Sequence, residues 1–449
     1  MSEKTKSDMK WWQLSLFGVG ATIGTGFFLG TSIGIRISGP AVLLAFLVAA
    51  LGTYFVFDAL ARMTSTDPQK GAFRTYAKKA FGPWAGFTSG WIYWSSELLI
   101  MGSQLTALSI FTRFWFPDVP LWVLATAYAI LALIVLLIGV EGLNRVENLF
   151  AIIKIAAIIM FIVIASLGLF GVLGRQPDPN VPTTMNALIP VGIMGLWSGL
   201  IYAFYAFGGI EVMGLMASRL KNPKEAPKAG KVMLLLLTII YLLAVGLALT
   251  LTPWRKFTSD ESPFIFALDQ FNIAFVPHVF NAALIIAGFS TMAAALYAIT
   301  TILVTLAEDH DAPAIFAKKG ILKVPTFALL LIIIGLIASI VTALVLPGKI
   351  YEYITTAAGL MLLYNWLFIL ASVGRIIKLT SLGRIKQAVG MILILAAVTG
   401  TILEDTTRPG FFISLSFVLL IGLISFVKQK KSKKNKETER SSLFEPEPV

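Results

Sequence analysis

The chain has 449 residues, of which 57% are hydrophobic and 13% charged, with a mean hydropathy of +0.83. A soluble domain usually holds about 45–50% apolar and about 25% charged residues, so long apolar runs from end to end exclude a soluble fold and predict a polytopic membrane protein. There is no cysteine and there are only two histidines, His278 and His310, which excludes thiolate chemistry, disulfides and Cys/His zinc sites; the net charge of +12 lies in short loops and the C-terminal tail, a pattern that does not suggest nucleic acid.

Twelve spans are predicted, at about 13–37, 39–62, 84–112, 121–140, 147–173, 191–218, 231–252, 277–307, 324–346, 351–377, 385–403 and 409–427. A basic N-terminal tail, 1–12, precedes them and shows no convincing signal-peptide cleavage site. Turn chemistry separates spans at "SGP" (38–40), "FPDVP" (116–120), "RQPDPNVP" (175–182) and "VLPGK" (345–349). This division puts 28 of the 36 Lys and Arg residues on one side. The other side holds Arg36, Arg113, Arg175, Arg255, Lys256, Lys349 and Arg408, and Lys154 lies within a span. The asymmetry predicts both termini in the cytoplasm of a plasma-membrane protein. The tail "KQKKSKKNKETER" then reads as a segment facing anionic lipid.

In span 1, "LSLFGVGATIGTGFFLG" (Leu14–Gly30) carries five glycines, each weakening a helix by about 1 kcal/mol relative to alanine. Close packing through Gly20/Gly24 and Gly26/Gly30 is one explanation. The other is a helix broken within Gly20–Gly26, its second half starting near Phe27 with free N–H groups that suit a substrate carboxylate. Span 3 contains an intramembrane acid, Glu97. Span 5 holds Lys154, roughly 12 Å along the helix from its inner end. A charge near mid-bilayer costs about 2.5–3.5 kcal/mol, so Lys154 either snorkels to the surface or has a function.

Span 6 contains "YAFYAFGGIEVMG", in which Gly208-Gly209 interrupts the helix and Glu211 follows. Glu211 is expected to tie an unwound segment to a neighbour or to carry a proton. Two broken spans, five apart and running in opposite directions, predict two inverted repeats, 13–173 and 191–377. Spans 385–427 become accessory, followed by the basic tail 428–449. The fold class is therefore all-α, with twelve transmembrane helices in a five-plus-five inverted repeat. His278 and His310 read as loop-edge residues. Trp11, Trp12, Trp84, Trp91, Trp94, Trp115 and Trp254 fall mostly near span ends and fit an interfacial belt.

The ordered set "GVGATIGTGFF", "GAFRTYAKKAFGPWAGFTSGWIYW", "ENLFAIIKIAAII", "FYAFGGIEVMG", "KNPKEAPKA" and "YNWLFILASVGR" resembles the amino acid–polyamine–organocation superfamily, especially bacterial amino-acid permeases. The resemblance runs from about residue 11 to 425. It implies a leucine-transporter-type fold and ion- or proton-coupled amino-acid uptake. It also implies that the carboxylate meets Thr22, Ile23, Gly24, Thr25 and Gly26, and that the ammonium meets carbonyls around Tyr205, Ala206, Phe207 and Gly208. Tyr205 takes the place where relatives often carry an aromatic gate. Lys154 matches a position at which some relatives place a lysine in a sodium-like site between spans 1, 5 and 8. Ser290 and Thr291 would accept its hydrogen bonds. The chain departs from the family at Arg62 and Arg219, where relatives usually carry Glu, and at Thr300-Thr301, where an Arg is often found, so no gating role is carried to these positions.

The predicted function is secondary active uptake of an amino acid by proton symport with alternating access. Exchange of one amino acid for another is the alternative. A membrane-embedded enzyme would need a His, Asp or Cys cluster near one face, and the sequence has none. A sensor would need a signalling extension longer than these tails. The cavity expected from Thr22, Ile23, Met101, Tyr205, Ala206 and Phe207 has few charges and suits a neutral, hydrophobic side chain; Glu97 is the group that would suit a cation. Amino acid, proton and membrane lipid are the partners implied. No metal, cofactor, nucleic acid or obligatory protein partner is.

Overall fold

A computed structural model describes residues 9–69, 71–138, 140–173, 178–216, 220–318, 320, 325–345 and 349–442. Arg175 and Arg219 lie outside these residues. The described chain is helical, without a strand. In order the α-helices are α1 (Trp11–Thr22), α2 (Thr25–Phe28), α3 (Gly30–Ser38), α4 (Val42–Thr66), α5 (Ala72–Phe81), α6 (Pro83–Arg113), α7 (Leu121–Ile138), α8 (Val140–Leu169) and α9 (Met185–Leu188). They continue as α10 (Gly192–Tyr205), α11 (Ile210–Met216), α12 (Ala226–Leu251), α13 (Pro263–Asp269), α14 (Phe275–Glu308), α15 (Thr326–Val345), α16 (Ile350–Ile376), α17 (Ser381–Gly400) and α18 (Arg408–Ser442). Among the described residues, eight helical stretches are long and apolar enough to cross a membrane, as in a polytopic membrane protein.

The helices end where the sequence supplies the chemistry. Gly39 takes φ +62° before Pro40, closing α3. Gly82 takes φ +94° and is followed by Pro83 at the first position of α6. Such a proline loses nothing, because its N–H would have had no helical partner. Three short helices among the described residues were not anticipated: α5, between spans 2 and 3, α9, between spans 5 and 6, and α13, between spans 7 and 8. All are too short for a spanning pattern. Span 12 continues as a helix to Ser442, well past its apolar part.

Helix α6 forms the centre. It packs against α14 and α16, and its buried small polar residues make the joints. Ser89 donates to Asn365 Oδ1 (3.0 Å), Ser96 donates to the Ala358 carbonyl (3.3 Å), and the Ser103 and Thr355 hydroxyls bond at 2.6 Å. Where no water can enter, such pairing is required of polar groups. Helices α7 and α15 keep apolar outer faces, with Ile130, Ile134, Leu330, Ile334 and Ile337 about half exposed, as lipid-facing surfaces are.

Candidate functional site

The first break falls at Ile23-Gly24. Helix α1 stops at Thr22, both linking residues are extended, and α2 starts at Thr25, two residues earlier than predicted. The second break is the turn Ala206–Gly209, between α10 and α11. Gly209 adopts φ +103°, and a Cβ there would lie 3.3 Å from the Ala21 carbonyl and 3.6 Å from Thr22 Cα. The two breaks therefore face each other. A Cβ on Gly26 would come within 2.9 Å of the Tyr205 ring, and one on Gly24 within 3.2 Å of Thr291. The packing explanation holds as well, since a Cβ on Gly20 would lie 2.6 Å from that of Ala151. The same glycine run packs α1 closely and opens its backbone.

Thr22 and Thr25 flank the first break, and Ser290 lies on α14 next to Thr291. Thr22 Oγ1, Thr25 Oγ1 and Ser290 Oγ are buried and have no hydrogen-bond partner among the described residues. Thr291, on the facing side of α14, donates to the Ala287 and Gly288 carbonyls of its own helix. Lys154 is buried on α8, and its ammonium donates to the Gly20 carbonyl at 3.1 Å, in the last turn of α1. Elements from spans 1, 5 and 8 thus meet at this point. Orphaned buried polar atoms are uncommon, and each calls for a partner.

At the second break Glu211 is fully buried. One carboxylate oxygen accepts the Gly209 N–H at 3.1 Å; the other accepts the indole N–H of Trp366, on α16. These two bonds link the α10–α11 turn to α16. Glu97 is buried on α6, close enough to Glu211 for their charges to interact. Met101 is buried one turn further along α6. Ile23, Tyr205, Ala206 and Phe207 are buried, and Gly208 is partly buried.

Sequence reasoning missed Tyr241. Its ring stacks on Phe27, with centroids 3.9 Å apart, and its hydroxyl donates to the Ala206 carbonyl at 2.9 Å. One side chain of α12 thereby grips both breaks. A tyrosine in an apolar run gives no signal of this, because the acceptor is a main-chain carbonyl 35 positions away.

On the Arg36 side, a cavity of about 530 Å³ opens between α6, α14, α16 and the segment before α13. Tyr351 lines it and also donates to the Thr25 carbonyl at 3.2 Å, so one side chain separates the cavity from the first break. Arg36 bonds Glu352 at 2.6 Å and Ser259 at 3.0 Å across the cavity's edge. Burial, and then the charge of Asp269, hold the Glu261 carboxyl above its ordinary pKa.

The opposite face is tied shut. Met9 bridges Leu220, and Lys228 lies 4.0 Å over the Trp11 ring. Arg74 of α5 is buried, bonding Asp309 at 2.6 Å and pairing with Asp311. Lys428 of α18 reaches the same Asp311 at 2.5 Å. Arg62 pairs with Asp58 at 3.0 Å, and Lys386 reaches that carboxylate at 3.3 Å. Thr300 and Thr301 donate to carbonyls of their own helix. An ion network is therefore present on this face, with Arg62 among its members and Thr300 and Thr301 outside it.

The family model for amino acid permeases matches residues 13–435. The chain is 54% identical to an uncharacterized transporter, YcgH, of Bacillus subtilis over 430 residues, covering 96% of each chain. It is 33% identical over 369 residues to the aromatic amino acid transport protein AroP of Corynebacterium glutamicum, covering 80% of this chain and 79% of that one. Identity to AroP of Escherichia coli K12 is 29% over 375 residues, covering 82% and 81%. With its apolar helices and this match over nearly the whole length, the chain belongs to the amino acid permease family of the amino acid–polyamine–organocation superfamily, and is a multi-pass membrane transporter and not an enzyme.

Proposed function

We propose that the protein is a secondary active transporter that takes up a neutral, hydrophobic amino acid across the plasma membrane by proton symport. The observation that carries this reading is the meeting of two broken helices at a point flanked by the unpartnered hydroxyls of Thr22 and Thr25. The substrate carboxylate takes the first N–H groups of α2 and the hydroxyls of Thr22 and Thr25, because helix N-termini favour anions. The substrate ammonium takes carbonyls of the Tyr205–Gly208 turn. Tyr205 closes over the side chain, and Ile23, Met101, Ala206 and Phe207 line an apolar wall. Aromatic amino acids are the first to try, since two relatives carry that substrate in their names.

Lys154 is the coupling group in this reading. Its ammonium stands where a bound cation would brace α1 against α8. Release of its proton during the cycle would weaken the bond to the Gly20 carbonyl and loosen α1. Ser290 is the nearby hydroxyl available to the ammonium during the cycle, with Thr291 beside it. Glu211 holds the α10–α11 turn in place, and Glu97 is its electrostatic neighbour in proton movement.

The architecture proposed is that of twelve spans, with inverted repeats at 13–173 and 191–377 and both termini cytoplasmic. The open cavity is then the outward vestibule, and the Arg74–Asp311–Lys428 network closes the inner face. Alternating access requires these two faces to open in turn.

Proteoliposome uptake tests the reading. Labelled phenylalanine, tyrosine, tryptophan and leucine are offered with and without an inward proton gradient. Gradient-dependent accumulation of one of them is the expected result. Flux that ignores the gradient and needs internal amino acid would make the protein an exchanger and overturn the symport.

A further inference from the structure

Glu97 is an acid without a partner at the centre of the molecule. Neither of its carboxylate oxygens accepts a hydrogen bond from the described residues, and neither is sealed off, whereas Tyr93 Oη and Trp94 Nε1, one turn back on α6, are both sealed and unpartnered. Glu97 is 8% exposed, so some open space meets its carboxylate. A small rotation that brought Tyr93 into bonding would still meet only one of the roughly four lone-pair sites a carboxylate offers. Glu211, by contrast, has both oxygens occupied.

Three neighbours place this acid. Tyr205, just before the α10–α11 turn, and Glu211, just after it, both lie within electrostatic reach of Glu97. Met101 follows one turn along the same face of α6. Glu97 thus looks from α6 onto the turn, at the end of the wall that holds Met101. A substrate with its carboxylate at the first break and its ammonium on the turn carbonyls has only its side chain left to reach α6. An acceptor left unmet in a low-dielectric interior is costly, and the Glu211 carboxylate makes a lone charge beside it costlier still. A donor at the tip of the substrate side chain meets that acceptor. Ile23, Met101 and Ala206 are apolar and buried, which suits a ring with a polar tip.

Resting on the transport reading given above, we propose that Glu97 is the specificity-determining acceptor of the central site. It selects an amino acid whose side chain is a ring ending in an O–H or N–H donor, as in tyrosine and tryptophan, over one that ends in carbon, as in phenylalanine and leucine. Both forms of the side chain can accept, since a carboxylic acid keeps its carbonyl oxygen. The role is therefore compatible with a proton passing through Glu97 during the cycle.

The test is equilibrium binding of labelled tyrosine, tryptophan, phenylalanine, leucine, lysine and arginine to the purified full chain. A site built to bond a donor rejects the analogue that lacks it, so tyrosine or tryptophan should bind about tenfold or more tighter than phenylalanine. Glu97→Leu removes the acceptor, and the preference should shrink to about twofold or less, with phenylalanine binding as well as before. Glu97→Gln keeps an acceptor and should keep most of the preference. Equal binding of the three aromatics by the unmodified protein, or a preference that Glu97→Leu leaves unchanged, overturns the assignment and leaves the transport reading standing. So does equal weakening of all three in Glu97→Leu, the mark of a merely structural residue. A preference for lysine or arginine that both variants abolish would make Glu97 a counter-ion and overturn the neutral ring. Absence of amino-acid binding to the unmodified protein removes both readings. If Glu97→Leu does not fold, O-methyltyrosine and 1-methyltryptophan decide on the unmodified protein: binding as weak as that of phenylalanine supports the acceptor, and binding as tight as that of the parent amino acid overturns it.

Discussion

Lys154 and Tyr241 act on the same two breaks by different means, and each gives a prediction. Replacing Lys154 by alanine leaves the Gly20 carbonyl without its ammonium. Under the symport reading, Lys154→Ala abolishes gradient-driven accumulation in proteoliposomes while substrate still binds; unchanged pH-dependent uptake would refute the coupling role. Tyr241→Phe keeps the stack on Phe27 and deletes only the bond to the Ala206 carbonyl. An unpaired buried acceptor costs about 1–3 kcal/mol, so this variant should melt at a lower temperature and show a raised KM for uptake. A KM equal to that of the unmodified protein would reduce Tyr241 to a core residue. Glycine and charge were readable in the sequence at these breaks, because a run of glycines or a lysine amid "AIIKIAAII" is anomalous by itself. Tyr241 was not, since its role depends on a distant carbonyl.

At the scale of elements, the breaks were legible and their limits less so. The run Gly20–Gly26 announces an interruption, but the ladder stops at Thr22 because Ile23 and Gly24 turn extended, beside Thr291 of α14 and the Gly209 turn. The ion network on the N-terminal face was opaque for the same reason. Arg74 and Asp311 lie 237 positions apart, and nothing local pairs them. That network predicts a behaviour of α18. A partly exposed pair is worth about 0.2–1 kcal/mol, so Lys428→Ala should raise opening of this face by up to about fivefold. The chain has no cysteine, so Ser15→Cys supplies a unique probe beneath the face. Its rate of thiol labelling should increase in the Lys428→Ala background; an unchanged rate would mean that Lys428 only decorates the surface.

The whole molecule divides into an open face and a tied face, and the orientation proposed from the distribution of Lys and Arg turns the tied one to the cytoplasm. Asp118 and Lys378 are exposed, on predicted outer and inner loops respectively. In intact cells a membrane-impermeant thiol reagent should label Asp118→Cys and reach Lys378→Cys only after permeabilisation. The reverse pattern would invert the orientation and make the vestibule cytoplasmic. The general architecture was readable from hydropathy because lipid demands apolar outer surfaces. The central helix α6 was readable as a span only by length, since its serines serve α16 instead of lipid. The Asp311 junction also bears on biosynthesis. Arg74 and Asp311 are both made long before Lys428, which arrives on a helix translated after every other packed helix described. Until α18 emerges, Asp311 is held by Arg74 alone, so this junction receives its second cation from the last of the packed helices described.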